Sequence, residues 1–234
     1  MRACHDIDLL VTEPDRLRAA AVLAGAGFNA HPAPHNISRE LVLCKGLIDI
    51  DLHWGLLREG RLREDDVEDL LSRRQRSNAL WMLNEDDTLF VLLVHPAFAK
   101  HVSGLEMGLH RVADLLIFLQ TASFDWPAVV DALERNGVKT AAWATLRWAE
   151  LLSQPQDTAA IQDKLDSLHR GSLRKNWLNI WLEHNLPART SGTHWLRLLA
   201  FTAFLHETPG DAARALAGRR RAHKRSSADL DVFR

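Results

Sequence analysis

The chain has 234 residues, 47% of them hydrophobic, and its 29 basic and 30 acidic side chains leave a formal net charge of -1. That length allows one large domain or two small ones with a sizeable core, and the charge balance lacks the basic excess that marks a DNA-binding protein, so no DNA partner is expected. No apolar run approaches the roughly 18 to 20 residues that span a bilayer, and Met1-Arg2-Ala3-Cys4 is not a signal peptide, because carboxylates arrive where an apolar stretch belongs.

A cytoplasmic protein without membrane contact is therefore expected. Cys4 and Cys44 lack metal-ligand spacing and cannot build a disulfide framework. A reducing compartment fits them, and small buried apolar residues are their expected role.

In chain order, the first chemistry-bearing stretch is HDIDLLV, His5 to Val11, with two carboxylates one residue apart at the mouth of an apolar run. As a strand it puts Asp6, Asp8 and Leu10 on one face and Ile7, Leu9 and Val11 on the other. One face is then oily and the other opens with two anions. Thr12 is placed to cap a helix begun by Glu13 and Pro14, and Gly25-Ala26-Gly27 ends it. Residues 28–36 read as loop, with Pro32 and Pro34. Arg39 to Cys44 and Leu47 to His53 are β-prone runs separated by Lys45-Gly46, the spacing of a tight hairpin. In the second run Asp49, Asp51 and His53 share one face, while Ile48, Ile50 and Leu52 share the other.

Two such acidic strands side by side gather three or four carboxylates into one patch. Anions that close repel one another and raise one another's pKa unless a cation sits among them, which implies a divalent metal. Mg²⁺ is expected, with Mn²⁺ as the alternative, since both take oxygen ligands.

From about Glu64 onward nearly every segment has helical periodicity. Helices are expected at Glu64 to Arg74, Asp86 to Lys100 and Leu105 to Thr121. A further helix runs from Trp126 to Asn136, with Asp125 as its N-cap and Pro127 in its first turn. Others follow at Val138 to Leu152, Thr158 to Leu168, Leu173 to Glu183, His194 to His206 and Asp211 to Leu216. Trp143, Trp148, Trp177, Trp181 and Trp195 fall at core-like positions and are read as packing. The expected class is α+β: a small mixed sheet in an N-terminal unit (1–62), then a mostly helical region (63–218) and a basic, frayed tail (219–234) that begins Arg219-Arg220-Arg221.

The Asp6-x-Asp8 strand, the helix ending in Gly27-Phe28 and the acidic strand ending Asp51-Leu52-His53-Trp54 resemble the polymerase-β-type nucleotidyltransferase superfamily. More narrowly they resemble a bacterial family of uncharacterised nucleotidyltransferases. His95, His101, the stretch Leu109 to Leu115 and Asp125-Trp126 resemble that family's helical part, so the resemblance runs from about Arg2 to Leu152.

It implies transfer of a nucleoside monophosphate from a nucleoside triphosphate (NTP) to an acceptor hydroxyl, with pyrophosphate leaving. It also implies that Asp6 and Asp8 hold metal ions, and that Asp51 helps bind metal and assists deprotonation of the acceptor. Paired metals of this kind steady both the attacking and the leaving oxygen of an in-line displacement. Arg2 would touch a phosphate. Read from its position alone, His53 either contacts the nucleotide or a metal-bound water, or caps the strand end. Acceptors in the superfamily include small molecules, proteins and RNA, and nothing in the sequence selects among them.

Superfamily members also carry a helix and a Gly-Ser or Gly-Gly turn just before the Asp-x-Asp strand, and that turn holds the triphosphate. Here Met1 stands five residues before Asp6, which leaves the turn no room. Two expectations follow: a start set too far downstream of the true one, or a catalytically inactive relative that serves as a nucleotide- or protein-binding adaptor.

Blander roles compete at several positions. Asp49 is read as a solvated strand residue, Trp54 as packing and Asp125 as a cap. His110 and Asp114, four apart on one helical face, could share a metal. His95 and His101, six apart, do not share a face, which argues against a helical His/Asp phosphohydrolase site.

Overall fold

The computed structural model describes residues 6–30, 39–99, 105–154, 158–168, 172–184 and 195–229. The fold is α+β, a four-stranded sheet near the N-terminus followed by mostly helical chain. It divides into two compact units, Met1–Arg74 with Ala213–Arg234, and Gln75–Ala212. None of the described helices is long and apolar enough to cross a membrane.

In the first unit the sheet order is β1-β4-β3-β2. Strand β1 (Asp6–Leu10) lies parallel to β4 (Ile48–His53), and β4 pairs antiparallel with β3 (Glu40–Lys45). The β3–β4 hairpin turns at Gly46, whose φ of 63° is open to glycine and strained for other residues. The stretch read as loop contains a short strand, β2 (Asn29–Ala30), paired with Cys44 and Leu43 of β3. Two residues are too few to show an alternating pattern.

Helix α1 (Arg16–Gly25) starts one turn later than expected. Thr12 instead closes the turn before it: its hydroxyl donates to Asp15 Oδ2 at 2.9 Å and accepts from the Asp15 N–H at 3.4 Å. At the other end the Phe28 N–H reaches Leu23 O at 3.1 Å and closes the helix where the glycines predict. Ala20 of α1 packs on Leu41, Leu43 and Leu52, with Val11, Leu23, Phe28 and Trp54 around them. The apolar face of β1 is only partly covered, since at the sheet edge Ile7 and Leu9 remain 48% and 37% exposed.

The expected 64–74 helix is shorter, α2 (Val67–Ser72), because Asp66 caps it through the Asp69 N–H at 3.0 Å. The second unit opens with a hairpin absent from the sequence reading, β5 (Gln75–Ser77) with β6 (Leu80–Met82), turning at Asn78 with φ 55°.

Helices α3 (Glu85–Ala99), α4 (Leu105–Thr121), α5 (Trp126–Arg135), α6 (Lys139–Leu152), α7 (Ala159–Ser167), α8 (Ser172–Glu183) and α9 (Trp195–Phe204) follow within one or two residues of expectation. Asp125 caps α5, accepting the Ala128 N–H at 3.4 Å. Helix α6 is buried on nearly all sides, Ala141 to Leu146 included, and packs on α3, whose Leu89, Leu93 and Ala97 are fully enclosed. Trp143, Trp148 and Trp181 are core residues as expected. Trp177 is not: it is 42% exposed and leans on Trp181 and Phe204.

The last helix, α10 (Pro209–Asp229), continues well past Leu216 and takes in the whole basic run from Arg219 to Arg225, where the sequence predicts a frayed tail. From Ala213 onward it belongs to the first unit.

Candidate active site on the carboxylate face of the sheet

Parallel pairing of β1 with β4 sets Asp6 opposite Asp49, Asp8 opposite Asp51 and Leu10 opposite His53. Partners in a ladder share a face, so the alternation in each strand adds up to one acidic surface. The antiparallel hairpin brings Glu40 opposite His53 and Val42 opposite Asp51 on that same surface. The hydrophobic alternation fixes which way the carboxylates point, because a slip of one residue would turn Leu52 and Ile50 outward.

Asp8, Asp51 and His53 converge. Each offers one ligand atom, and those atoms lie within 4.8 Å of one another. His53 Nε2 is 3.0 Å from Asp8 Oδ1, and its Nδ1 is 3.6 Å from Glu40 Oε2. The ring is largely enclosed, at 17% exposure, while the Asp8 side chain is 73% exposed.

Burial pushes the His53 imidazole down. The Asp8 hydrogen bond and the charges of Asp8, Glu40 and Asp51 outweigh it, so the pKa stands above its ordinary value. With a carboxylate against each ring nitrogen, His53 takes up a proton more readily than a free imidazole, and its hydrogen bond orients Asp8. Asp6 is placed on this face by its backbone alone, and Arg2 lies outside the described residues. Asp49 shares the face and is exposed.

The strand ends are tied down next to the site. Arg39, at φ 59°, donates to Trp54 O at 2.8 Å and accepts the Trp54 N–H on its own carbonyl at 3.0 Å. Its guanidinium also pairs with Asp65. Burial raises the Asp65 carboxyl above its usual range although Arg39 pulls it down. Arg16 lies over the Trp54 ring at 5.8 Å, so Trp54 packs at the strand end.

Among the described residues no helical histidine belongs to such a group. His95 Nδ1 meets Arg111 Nη1 at 3.1 Å, and His101 lies outside the described residues. Among the described residues the single group of three with metal-ligand proximity is Asp8, Asp51 and His53.

Glu40 is the site residue that the sequence reading misses. Its signal was available in the hairpin register, which fixes His53 as its partner once Gly46 is taken as the turn.

No curated protein and no solved structure matches the chain. A family model described as uncharacterised nucleotidyltransferase matches residues 1–154, which takes in the sheet, its acidic face and the helices through α6. The chain belongs to the uncharacterised nucleotidyltransferase family.

Proposed function

We propose that the protein transfers a nucleoside monophosphate from an NTP to an acceptor hydroxyl on the carboxylate face. The observation that carries this reading is the convergence of Asp8 and Asp51 from paired parallel strands, with His53 hydrogen-bonded to Asp8.

The two carboxylates form an oxygen donor set suited to Mg²⁺ or Mn²⁺, and the imidazole beside them orients one of the two. In this reading Asp8 and Asp51 hold the ion, and Asp6, two residues before Asp8 on the same face, completes the set. When bound, the ion neutralises phosphate charge and acts as a Lewis acid at the phosphoryl oxygens.

The chain's own residues do the rest. Asp51 accepts the proton of the acceptor hydroxyl. The acceptor oxygen bonds to the α-phosphorus while the bond from that phosphorus to the bridging α–β oxygen breaks, and pyrophosphate departs with the electron pair. His53 fixes the direction of the Asp8 carboxylate through their hydrogen bond. Arg2, from the resemblance, would add a further phosphate contact.

A pyrophosphate-release assay with each of the four NTPs, Mg²⁺ or Mn²⁺ and candidate small-molecule, protein and RNA acceptors tests the reading. Release by the wild type that falls at least about a hundredfold in Asp51→Asn is expected. Equal release by both proteins would contradict it.

A further inference from the structure

A second cluster of charge lies in the first unit, on the chain that leaves β4. The Arg61 N–H donates to Arg58 O at 3.2 Å and closes a turn whose third residue, Gly60, has φ 82°. Helix α10 meets that turn backbone to backbone. A Cβ on Gly60 would come within 2.6 Å of Arg214 O, and one on Gly218 would run into Glu59 O. The contact brings Arg219, next to Gly218, to the side of the turn, where its charge acts on both Arg58 and Arg61. Arg61 is 9% exposed, Arg58 is half-buried and Arg219 is exposed.

Burial first, then Arg58 and Arg219, bring the Arg61 guanidinium down to about 9. Burial and Arg219 lower Arg58 as well, against the pull of Glu40. Three guanidinium groups gathered where water is partly excluded repel one another, and an anion among them would relieve that repulsion. The planar guanidinium fork matches phosphate oxygens two at a time.

Glu40 links this cluster to the acidic face. It lies 3.6 Å from His53 Nδ1, and its charge acts on Arg58. A line of polar contacts therefore runs from Asp8 through His53 to Glu40, whose charge reaches Arg58. A bound nucleotide's phosphate chain carries more negative charge than one divalent ion on Asp8 and Asp51 neutralises, and it is long enough to extend beyond them.

We propose that Arg58, Arg61 and Arg219 form an anion subsite next to the carboxylate face, taking the terminal phosphates of a nucleoside triphosphate. The assignment of the nucleotide rests on the nucleotidyl-transfer reading. The capacity to bind a polyphosphate does not.

Calorimetric titration of inorganic tripolyphosphate into the full chain, without divalent metal, tests the subsite. The Arg58→Gln/Arg219→Gln double variant spares buried Arg61 and is checked for an unchanged thermal midpoint. A parallel Mn²⁺ titration reads the acidic face separately. The subsite predicts tripolyphosphate binding by the wild type that weakens at least about tenfold in the double variant, with Mn²⁺ affinity unchanged. If tripolyphosphate binding depends on the arginines but Mn²⁺ does not bind, the subsite stands and the metal reading fails. Equal tripolyphosphate affinity in both proteins, or none in the wild type, overturns the subsite, even if an RNA oligonucleotide binds.

Discussion

At the scale of single residues the site depends on His53. Its ring is enclosed and lies between two carboxylates, so the loss of hydration is outweighed by a hydrogen bond and three negative charges. In an NMR titration the His53 midpoint is expected above 6.5, the ordinary value, and lower in Asp8→Asn than in the wild type, because that change removes the largest of the raising influences. The sign for stability follows from linkage. A raised folded pKa contributes stability that is complete below 6.5 and is lost as pH rises through the folded value, so a denaturation midpoint should fall across that window in the wild type and less in His53→Gln. A His53 midpoint at or below 6.5 would contradict this.

Asp8 and Asp51 were legible because strand alternation alone sorts them to one face. Glu40 was less so, since its place depends on the hairpin register. Arg61 was not legible at all, because an arginine in a post-strand segment gives no local sign that it will be buried.

At the scale of elements, the strands with clear alternation and the helices with clear caps were readable. Gly46 marked the β3–β4 hairpin, and Asp125 with Pro127 marked the start of α5. The misses are short or lack such signals. β2 has two residues, and the β5–β6 hairpin turns on Asn78 with no glycine beside it. α10 outran its reading because its apolar stripe stops near Leu216, while backbone hydrogen bonds carry the helix to Asp229.

The interlock of α10 with the 58–61 turn depends on the lack of a side chain at Gly218. Gly218→Ala drives a methyl into Glu59 O, and backbone on both sides leaves little room to give. Such overpacking costs about 2 kcal/mol, measurable by chemical denaturation. An alanine variant as stable as the wild type would show that the interlock is looser than described.

At the scale of the whole molecule, the change of character near residue 64 was visible as a shift from alternating to helical periodicity. That the chain's last stretch, from Ala213, rejoins the first unit was not visible, because association across so long a separation leaves no periodic trace. The family match ends at 154, so α7 to α9 are defined by their own packing. Leu165, Leu178 and Phe201 are each buried in the second unit's core.

The proposed function depends on a small part of this architecture: two parallel strands held in one register, with a hairpin partner that supplies Glu40. The most direct test is a calorimetric titration of each NTP, in the presence of Mg²⁺, into the wild type and the Asp8→Asn/Asp51→Asn double variant. Saturable binding by the wild type, and none measurable in a double variant that keeps its thermal midpoint, is the predicted result. Equal affinity in the two proteins would mean that the carboxylate face does not hold the metal and nucleotide.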